Sequence, residues 1–337
     1  MNNLDNKDIV ITSRIRLARN LKNYKFPIKM TGEESDKVIS EVNSAVKKQN
    51  LNYKLTYMKD LSDIEKNVLI ENHLISPALA EKKEAAALLL SPDQKVSIML
   101  NEEDHIRIQT LGDGMSLKEC WNESTRIDDI LEEHIDYAFD KELGYVTSCP
   151  TNIGTGMRAS VMVHLPALSV TNQIEKLLYG VSQLGVAVRG VYGEGTKSMG
   201  HLYQISNQGT LGSSEETLID KISQIVLQIV EKEEKTREHL KKNNLSELED
   251  DVYRAYGLLT NARRMTAEEA MKLLSLLKLG NEMSIIPMAE NRDIYNIMVK
   301  IQPNIISSAE GKELLPKERD KKRAEIIRNE LLFDMSK

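Results

Sequence analysis

The chain has 337 residues, of which 28% are charged, and its formal net charge is −6. This length allows a catalytic domain and a smaller second domain, and the net negative charge argues against non-specific binding of nucleic acid. Two cysteines, Cys120 and Cys149, are too few for a disulfide framework or a metal cluster. Since there is neither a signal-peptide pattern nor an apolar run of roughly 18 residues, we expect a cytoplasmic protein without membrane association.

The first predicted element is a strand over residues 8–20, DIVITSRIRLARN. Alternation along this strand places Ile15 and Leu17 on one face and Arg14 and Arg16 on the other. Two like charges side by side repel each other unless an anion lies between them, so the arginine pair predicts a phosphate site. The alternative is a basic edge strand that deters aggregation.

Two helices and a hairpin follow. We expect helices over 33–49 and 61–75, with His73 at the end of the second, where a histidine usually has a packing or charge role. The hairpin joins strands at 96–100 and 105–110 through the tight polar turn NEED. An acidic turn of this kind is solvated by default, although a turn carboxylate and a strand arginine can also reach one cleft.

A glycine loop with an arginine follows a predicted helix over 116–140. The stretch CPTNIGTGMRASVMVHLP starts at Cys149 and carries Gly154, Gly156 and Arg158. Glycine lets the backbone approach a phosphate closely, and arginine grips one with a planar fork, so the stretch predicts an anion site. The alternative is a glycine-rich β-turn with a surface arginine, because short glycine motifs often match by chance.

A second glycine-rich loop, RGVYGEG, covers residues 189–195. Arg189 opens this loop and Glu194 lies near its end. The loop could act as a lid over a site, or it could be a mobile surface hairpin.

The rest of the chain is predicted to be mostly helical. The charged run 231–244 is interpreted as the solvated end of a long helix. From about residue 246 the pattern is helical throughout, and Gly280 is interpreted as a helix terminator.

Five motifs together resemble the phosphagen (guanidino) kinases, which use ATP to phosphorylate the guanidinium group of arginine or creatine. They are SRIRxAR, His73 in its ENHLISP context, NEEDHIRI, CPTN-G-RASV and RGVYGEG. The resemblance implies an α/β (α+β) catalytic domain at 6–236, with an antiparallel sheet flanked by helices. The chain lacks GxxxxGK[ST] and the protein-kinase HRD and DFG motifs, so its nucleotide site would be built from arginine forks.

The resemblance also implies roles for individual residues. Glu103 and Glu194 would contact the substrate guanidinium, which is a poor nucleophile until a carboxylate orients it, and Cys149, if thiolate, would add a third negative contact. The implied ATP- and phosphate-binding residues are Thr12, Ser13, Arg14, Ile15, Arg16, His73, Arg107, Arg158, Ala159, Ser160, Val161, Met162, Arg189, Gly190, Val191, Tyr192, Gly193 and Glu194. Mg²⁺ is expected on the phosphate oxygens of ATP, with no metal ligands from the protein.

The arrangement of helices indicates a subclass. Residues 1–12 alone precede Ser13, where small-molecule phosphagen kinases carry a helical domain, and the extra helices lie instead at 246–337. This arrangement resembles the bacterial protein arginine kinases of the McsB type, which implies phosphorylation of exposed arginine side chains in proteins and their marking for Clp-type degradation. A Clp-type chaperone or protease, a small activator protein and a homodimer are implied in the same way.

The last predicted helix contains RDxxRA, the pattern with which that family binds phosphoarginine. Arg319, Asp320, Arg323 and Ala324 form this motif, and two arginines four residues apart are unfavourable unless an anion bridges them. Without the family context, a solvated basic face would be the default. A kinase for free arginine and a non-catalytic phosphoarginine-binding adaptor are the alternatives, and the presence of both Glu103 and Glu194 argues against the adaptor.

Overall fold

The computed structural model describes residues 8–82, 85–192, 198–288 and 293–332. The strands are β1 (Val10–Arg19), β2 (Lys54–Tyr57), β3 (Ala87–Leu90), β4 (Val96–Leu100), β5 (Ile106–Asp113), β6 (Phe139–Asp140), β7 (Gly144–Tyr145), β8 (Met157–His164), β9 (Val186–Gly190) and β10 (Leu202–Asn207). The helices are α1 (Gly32–Lys48), α2 (Asp63–Glu71), α3 (Pro77–Ala80), α4 (Leu117–Glu132), α5 (Pro166–Val170), α6 (Ile174–Ser182), α7 (Glu215–Asn243), α8 (Leu245–Asn261), α9 (Ala267–Glu282), α10 (Ile294–Lys300), α11 (Pro303–Ala309) and α12 (Pro316–Leu332).

Eight strands form one sheet in the order β2-β3-β4-β5-β1-β8-β10-β9, and β6 pairs with β7 separately. The pairs β2 with β3, β3 with β4, β4 with β5 and β5 with β1 are antiparallel. The predicted fold class, an antiparallel sheet with helices and a helical C-terminal region, is confirmed.

β1 separates an apolar face from a charged one. Ile15 and Leu17 are fully buried, and α4 packs against this strand and against β5. Arg14 and Arg16 are half-buried on the opposite face. Because helix packing uses the apolar face, the charged face is left available for a polar site.

The helix predicted over 116–140 is too long. α4 ends at Glu132, and Ala138 instead donates its backbone N–H to the carbonyl of Asn20 at 2.7 Å. The backbone hydrogen bonds of this segment therefore go to the chain that follows β1, which sequence periodicity does not reveal.

Internal contacts divide the chain into two compact units. One comprises Met1–Met162, Val181–Ala187 and Ile205–Val226, and the other comprises Val163–Gly180, Val188–Gln204 and Leu227–Lys337. The first contains β1 to β5 with α1 to α4, and the second contains α8 to α12. Among the described helices, none has both the length and the apolar composition needed to cross a membrane.

Gly280 lies inside α9, so the prediction that it ends a helix is wrong. A Cβ atom at this position would lie 2.3 Å from Cγ1 of Val252 on α8. The glycine is therefore explained by the close approach of α8 and α9 rather than by a helix end.

The charged run 231–244 ends α7 and is mostly exposed, as interpreted from the sequence, but it also contains a buried network that the interpretation missed. Glu233 on α7 is fully buried and accepts hydrogen bonds from the backbone N–H groups of Ala167 at 2.9 Å and Leu168 at 3.0 Å. Arg237 donates to the same carboxylate at 3.0 Å. A buried carboxylate is tolerated here because three donors satisfy it.

Candidate active site

Four arginines come together from three neighbouring strands of the first unit. β1 lies between β5 and β8, and its register places Ala18 opposite Arg107. Arg14 donates from Nε to Oγ of Ser160 on β8 at 3.3 Å. Arg158, on β8, donates from Nη2 to Oγ of Ser206 at 2.9 Å. The alternation that predicted a shared face for the β1 arginines thus also aligns them with arginines on both neighbouring strands.

The positive charges of these arginines repel one another. Burial and then the charges of Arg158 and Arg107 lower the pKa of Arg14 to about 10. The pKa of Arg16 is lowered well below its usual value, by burial first and then by the other arginines. Within the described residues, Nε of Arg16 is buried and has no hydrogen-bond partner. A polyphosphate would supply both the missing acceptor and the missing negative charge.

A cavity of about 140 Å³ opens beside this cluster. Its lining consists of Arg16, Ala18, Glu103, Arg107, Cys149, Thr151, Asn152, Gly156 and Arg158. Guanidinium groups, one carboxylate and one thiol therefore share a single opening.

The NEED turn is largely buried, so the default interpretation as a solvated turn is wrong. Glu102 and Asp104 are 2% and 0% exposed, and the Glu103 side chain alone among the three carboxylates is substantially exposed, at 45%. Asp104 accepts from Nδ2 of Asn20 and from the backbone N–H of Ser148, both at 2.7 Å. These distant partners, which sequence reasoning could not supply, hold the turn rigidly.

Arg107 bridges the two glutamates of the turn. Its Nη1 forms a close ion pair with Glu102, and its Nη2 lies 3.3 Å from Oε2 of Glu103. Glu102 also accepts a short hydrogen bond from the hydroxyl of Ser76. Sequence reasoning missed Glu102, although two adjacent carboxylates in one tight turn must point in different directions.

The glycine loop is fixed against β1 by Arg19, which sequence reasoning also missed. Arg19 is 1% exposed and donates to the carbonyl of Thr155 at 3.0 Å and to Asp128 on α4 at 2.7 Å. Gly156 has φ +64°, and a Cβ there would lie 2.6 Å from the carbonyl oxygen of Ala18. The signal for Arg19 was present, because alternation puts this arginine on the same face as Ile15 and demands a buried partner.

Cys149 is half-buried at the cavity, with Sγ 3.1 Å from Oγ1 of Thr151. The loop that carries it is tied down elsewhere by Thr210, whose hydroxyl donates to the carbonyl of Ile153 at 2.6 Å. The thiol thus lies close to the arginines on a loop whose backbone is held in place.

His73 has a left-handed backbone, with φ 59°. Burial and the charge of Arg14 lower the pKa of His73 to about 4. Its carbonyl accepts from Nε2 of Gln109 on β5 at 2.8 Å. The histidine is therefore neutral at pH 7 and lies within the electrostatic reach of the arginine cluster.

Other predicted nucleotide-binding residues divide between the two faces of the sheet. Alternation places Thr12, Ser160 and Met162 on the arginine face and Ser13, Ile15, Ala159 and Val161 on the opposite face. Of these side chains, Thr12 alone is not buried. Ser13 donates its hydroxyl to the carbonyl of Gly114 at 2.7 Å. Ser13, Ile15, Ala159 and Val161 therefore support the strands that carry the arginines.

The second predicted loop belongs to the other unit. Arg189 is exposed on β9, Gly190 ends that strand, and Val191 is buried and donates its N–H to the carbonyl of Leu202 at 3.0 Å. Tyr192 follows with φ 58°. Gly193 and the predicted catalytic Glu194 lie outside the described residues.

The RDxxRA motif lies on α12, with Arg323 directed inward. Arg323 is 2% exposed and donates to the carbonyls of Ile301 at 3.1 Å and Met265 at 3.0 Å. It also pairs with Asp320 at 2.7 Å. Arg319 is half-buried, and Ala324 is fully buried. One arginine of the motif thus anchors α12 to neighbouring segments, while Arg319 is the more accessible of the two.

The described residues contain no group of three or more His, Cys, Asp or Glu side chains that could hold a metal ion. Arg107 pairs with the carboxylate of Glu103 at the cavity and with the buried carboxylate of Glu102. The guanidinium donors of the cavity fit phosphate oxygens.

Comparison with known proteins agrees with this geometry. The family model of the ATP:guanido phosphotransferase C-terminal catalytic domain matches residues 34–236, and that of the protein-arginine kinase McsB C-terminal domain matches residues 245–337. The protein-arginine kinase of Desulforamulus reducens is 49% identical over 96% of this chain and 92% of its own length. That of Moorella thermoacetica is 47% identical over 95% of this chain and 93% of its own length.

Solved structures show the same fold. The substrate-free duplicated taurocyamine kinase from Schistosoma mansoni matches with a TM-score of 0.60 at 22% identity, over 74% of this chain and 39% of that longer chain. Lombricine kinase matches with a TM-score of 0.59 at 25% identity, over 68% of this chain and 67% of its own. From the full-length relatives and the two family models, we conclude that the chain belongs to the protein-arginine kinase family of ATP:guanido phosphotransferases.

Proposed function

We propose that this chain transfers the γ-phosphoryl group of ATP to the guanidinium group of arginine side chains in proteins. The observation that carries the proposal is the single cavity in which Arg16, Arg107 and Arg158 lie with the carboxylate of Glu103. Guanidinium forks suit the phosphates, and a carboxylate suits the acceptor guanidinium. The relatives named protein-arginine kinase and the matched C-terminal domain support a protein substrate rather than free arginine.

In this proposal the arginines hold the phosphates and neutralise the charge that develops on the transferring phosphoryl group, the dominant requirement of phosphoryl transfer. We assign Arg14, Arg16, Arg107 and Arg158 to this task, and the family resemblance adds Arg189 of β9. The family resemblance assigns further nucleotide contacts to a second set of residues: Thr12, Ser13, Ile15, His73, Ala159, Ser160, Val161, Met162, Gly190, Val191, Tyr192 and Gly193. Mg²⁺, held through ATP phosphates and water, would add positive charge to the same oxygens.

Glu103 and Glu194 orient the acceptor guanidinium. A nitrogen of that group forms the new N–P bond as the bond from the γ-phosphorus to the bridging oxygen breaks, and ADP leaves. The acceptor nitrogen loses a proton to a carboxylate or to solvent. Cys149, which also lines the cavity, contributes negative charge if it is a thiolate.

The proposal assigns different roles to two parts of the chain. Residues 6–236 form the catalytic domain, and residues 246–337 form a helical domain that binds phosphoarginine through Arg319, Asp320, Arg323 and Ala324. A cytoplasmic homodimer, a small activator protein and delivery of the products to Clp-type proteolysis complete the proposal, by analogy with the family.

Incubation with Mg-ATP and either an unfolded protein or free arginine tests the proposal. The products are identified by mass spectrometry under non-acidic conditions, which preserve the P–N bond. We expect phosphoarginine in the protein and far less phosphorylation of free arginine. Preferential labelling of free arginine would favour a phosphagen kinase, and binding of phosphoarginine without any transfer would favour an adaptor.

A further inference from the structure

The turn between β4 and β5 is built to hold its two glutamates in different surroundings. Nδ2 of Asn101 donates to the carbonyls of Ser35 at 3.0 Å and Ala85 at 2.8 Å. Ser148 donates its hydroxyl to the carbonyl of Glu103 at 2.8 Å. With its backbone tied on both sides, the turn keeps the Glu102 carboxylate buried and leaves the Glu103 carboxylate at the cavity.

Arg107 contacts the carboxylate of Glu103, which the acceptor guanidinium requires. Its Nη2 lies 3.3 Å from Oε2 of Glu103, so one guanidinium of the protein stands where the proposed function places the guanidinium of the substrate. The second contact of Arg107, to Glu102, is of a different kind. The Arg107 and Glu102 side chains are 13% and 2% exposed, whereas the Glu103 side chain is 45% exposed.

The two ion pairs of Arg107 differ in exposure, and this difference determines which of them breaks when the substrate binds. An exposed ion pair contributes little to stability, whereas removing one partner of a buried pair leaves an uncompensated charge and is strongly unfavourable. An incoming guanidinium therefore displaces Arg107 from Glu103 and not from Glu102. Ser76 strengthens this anchor, because its hydroxyl donates to the Glu102 carboxylate.

We propose that Glu102 is a positioning residue that holds the Arg107 guanidinium beside Glu103, where the guanidinium of the substrate would otherwise bind. In this way Glu102 couples the nucleotide site to the site of the acceptor arginine. When the acceptor guanidinium takes Glu103, Arg107 remains anchored on Glu102 and its released Nη2 becomes available to a phosphate oxygen. When a phosphate draws Arg107 first, Glu103 is released for the acceptor. Each ligand thus favours the other, as linkage requires. This inference rests on the proposed function and adds to it a residue that holds no ligand itself.

Calorimetric binding of a peptide with a single arginine, without and with saturating Mg-ADP, measures this coupling. For the unmodified chain we expect Mg-ADP to lower the Kd of the peptide by at least about fivefold, within the usual range of coupling between sites. In Glu102→Gln the anchor loses its charge, Arg107 moves to Glu103, and the ratio of the two Kd values should fall to within about twofold of one. In steady-state kinetics the same variant should raise the KM for the peptide by a larger factor than it lowers kcat.

Two further variants keep the test decisive. Glu132→Gln, at the exposed end of α4, makes the same chemical change away from the cavity and should leave the coupling ratio unchanged. Ser76→Ala removes one hydrogen bond to Glu102 without changing any charge and should lower the coupling ratio in part. This variant tests the inference if Glu102→Gln does not fold. A folded Glu102→Gln or Ser76→Ala variant with the original ratio would overturn the inference.

The outcome for the unmodified chain separates this inference from the proposed function. If the chain phosphorylates the peptide but Mg-ADP leaves the peptide Kd unchanged, the inference fails and the function stands. If the chain phosphorylates no arginine at all, the function itself fails.

Discussion

Arg158 combines two properties that a group acting on the transition state needs, a position at the cavity and a held orientation. Its Nη2 donates to Ser206 at 2.9 Å, which fixes the plane of the guanidinium. Arg158→Lys keeps the charge but loses the planar fork, so the barrier to transfer should rise by about 2–4 kcal/mol. Single-turnover rates with saturating Mg-ATP measure this effect.

Ser206→Ala provides the control for Arg158→Lys. It removes the orienting hydrogen bond and leaves the guanidinium in place, so its rate should fall less than that of the lysine variant. A rate within twofold of the unmodified chain in Arg158→Lys would show that Arg158 is merely structural.

The individual site residues differ in how far the sequence could predict them. Alternation alone placed Arg14 and Arg16 together, because strand geometry is local. The burial of Glu102 and Asp104 was not predictable, because their partners Ser76 and Asn20 lie 26 and 84 residues away in the chain. A turn looks solvated until the segments that cover it are known.

At the scale of elements, Arg19 joins β1, α4 and the glycine loop. Removing the charge of Arg19 leaves the carboxylate of Asp128, whose side chain is only 9% exposed, without its ion-pair partner. Arg19→Met should therefore lower the free energy of unfolding by about 3–5 kcal/mol. Urea unfolding, followed by circular dichroism, checks this value.

The double variant Arg19→Met with Asp128→Leu separates charge from packing. With both charges removed, no buried ion is left alone, so the double variant should be more stable than Arg19→Met. Equal or lower stability of the double variant would mean that Arg19 acts through its contacts with the loop carbonyls instead.

The two glycines of the α8 and α9 pair should respond to alanine in opposite directions. At Gly280 a Cβ meets Val252 at 2.3 Å, whereas at Gly257 on α8 nothing lies within 4 Å. Gly280→Ala should cost about 1–3 kcal/mol through overpacking, and Gly257→Ala should stabilise by about 0.4–1 kcal/mol. Thermal unfolding of both variants, in the same buffer, measures the contrast, and a neutral Gly280→Ala would disprove the close approach of the two helices.

Two glycines, Gly156 and Gly280, show how far structural elements can be predicted from sequence. Gly156 was predicted to let the backbone approach a phosphate, whereas the close approach in the structure is to the carbonyl of Ala18 on β1. Gly280 was misread as a helix end, because a glycine that admits another helix and one that stops its own helix look alike in a single sequence.

Across the whole molecule, buried histidines should make stability depend on pH. Burial is the largest cause that lowers the pKa values of His73 and His201 to about 4, and burial also lowers the pKa of His164 well below its usual value. A pKa that is lower in the folded chain than in the unfolded chain means that the unfolded chain binds more protons below pH 6.5. Stability should therefore be constant above this pH and fall between pH 6.5 and 4, by up to about 1.4 kcal/mol per pH unit for each histidine.

Urea unfolding at several pH values between 7.5 and 5 tests the histidine contribution. His201→Gln should reduce the slope of the unfolding free energy against pH by the contribution of one histidine. The substitution removes a buried imidazole whose Nδ1 lies 2.7 Å from Oγ of Ser275. His134→Gln changes an exposed histidine and serves as the control. An identical slope in His201→Gln and the unmodified chain would contradict the assignment.

The guanidinium of Arg19 has every nitrogen engaged: Nε and Nη2 donate to Asp128, and Nη1 donates to two backbone carbonyls. A phosphoryl acceptor must present such a nitrogen to an incoming phosphate, so a folded chain conceals this kind of arginine and an unfolded one displays it. Arg254 is already exposed on α8. In self-labelling, phosphate on Arg254 would mark the native chain, and phosphate on Arg19 would mark a chain that has lost its fold. The enzyme's own modification pattern would then be a record of its conformational history.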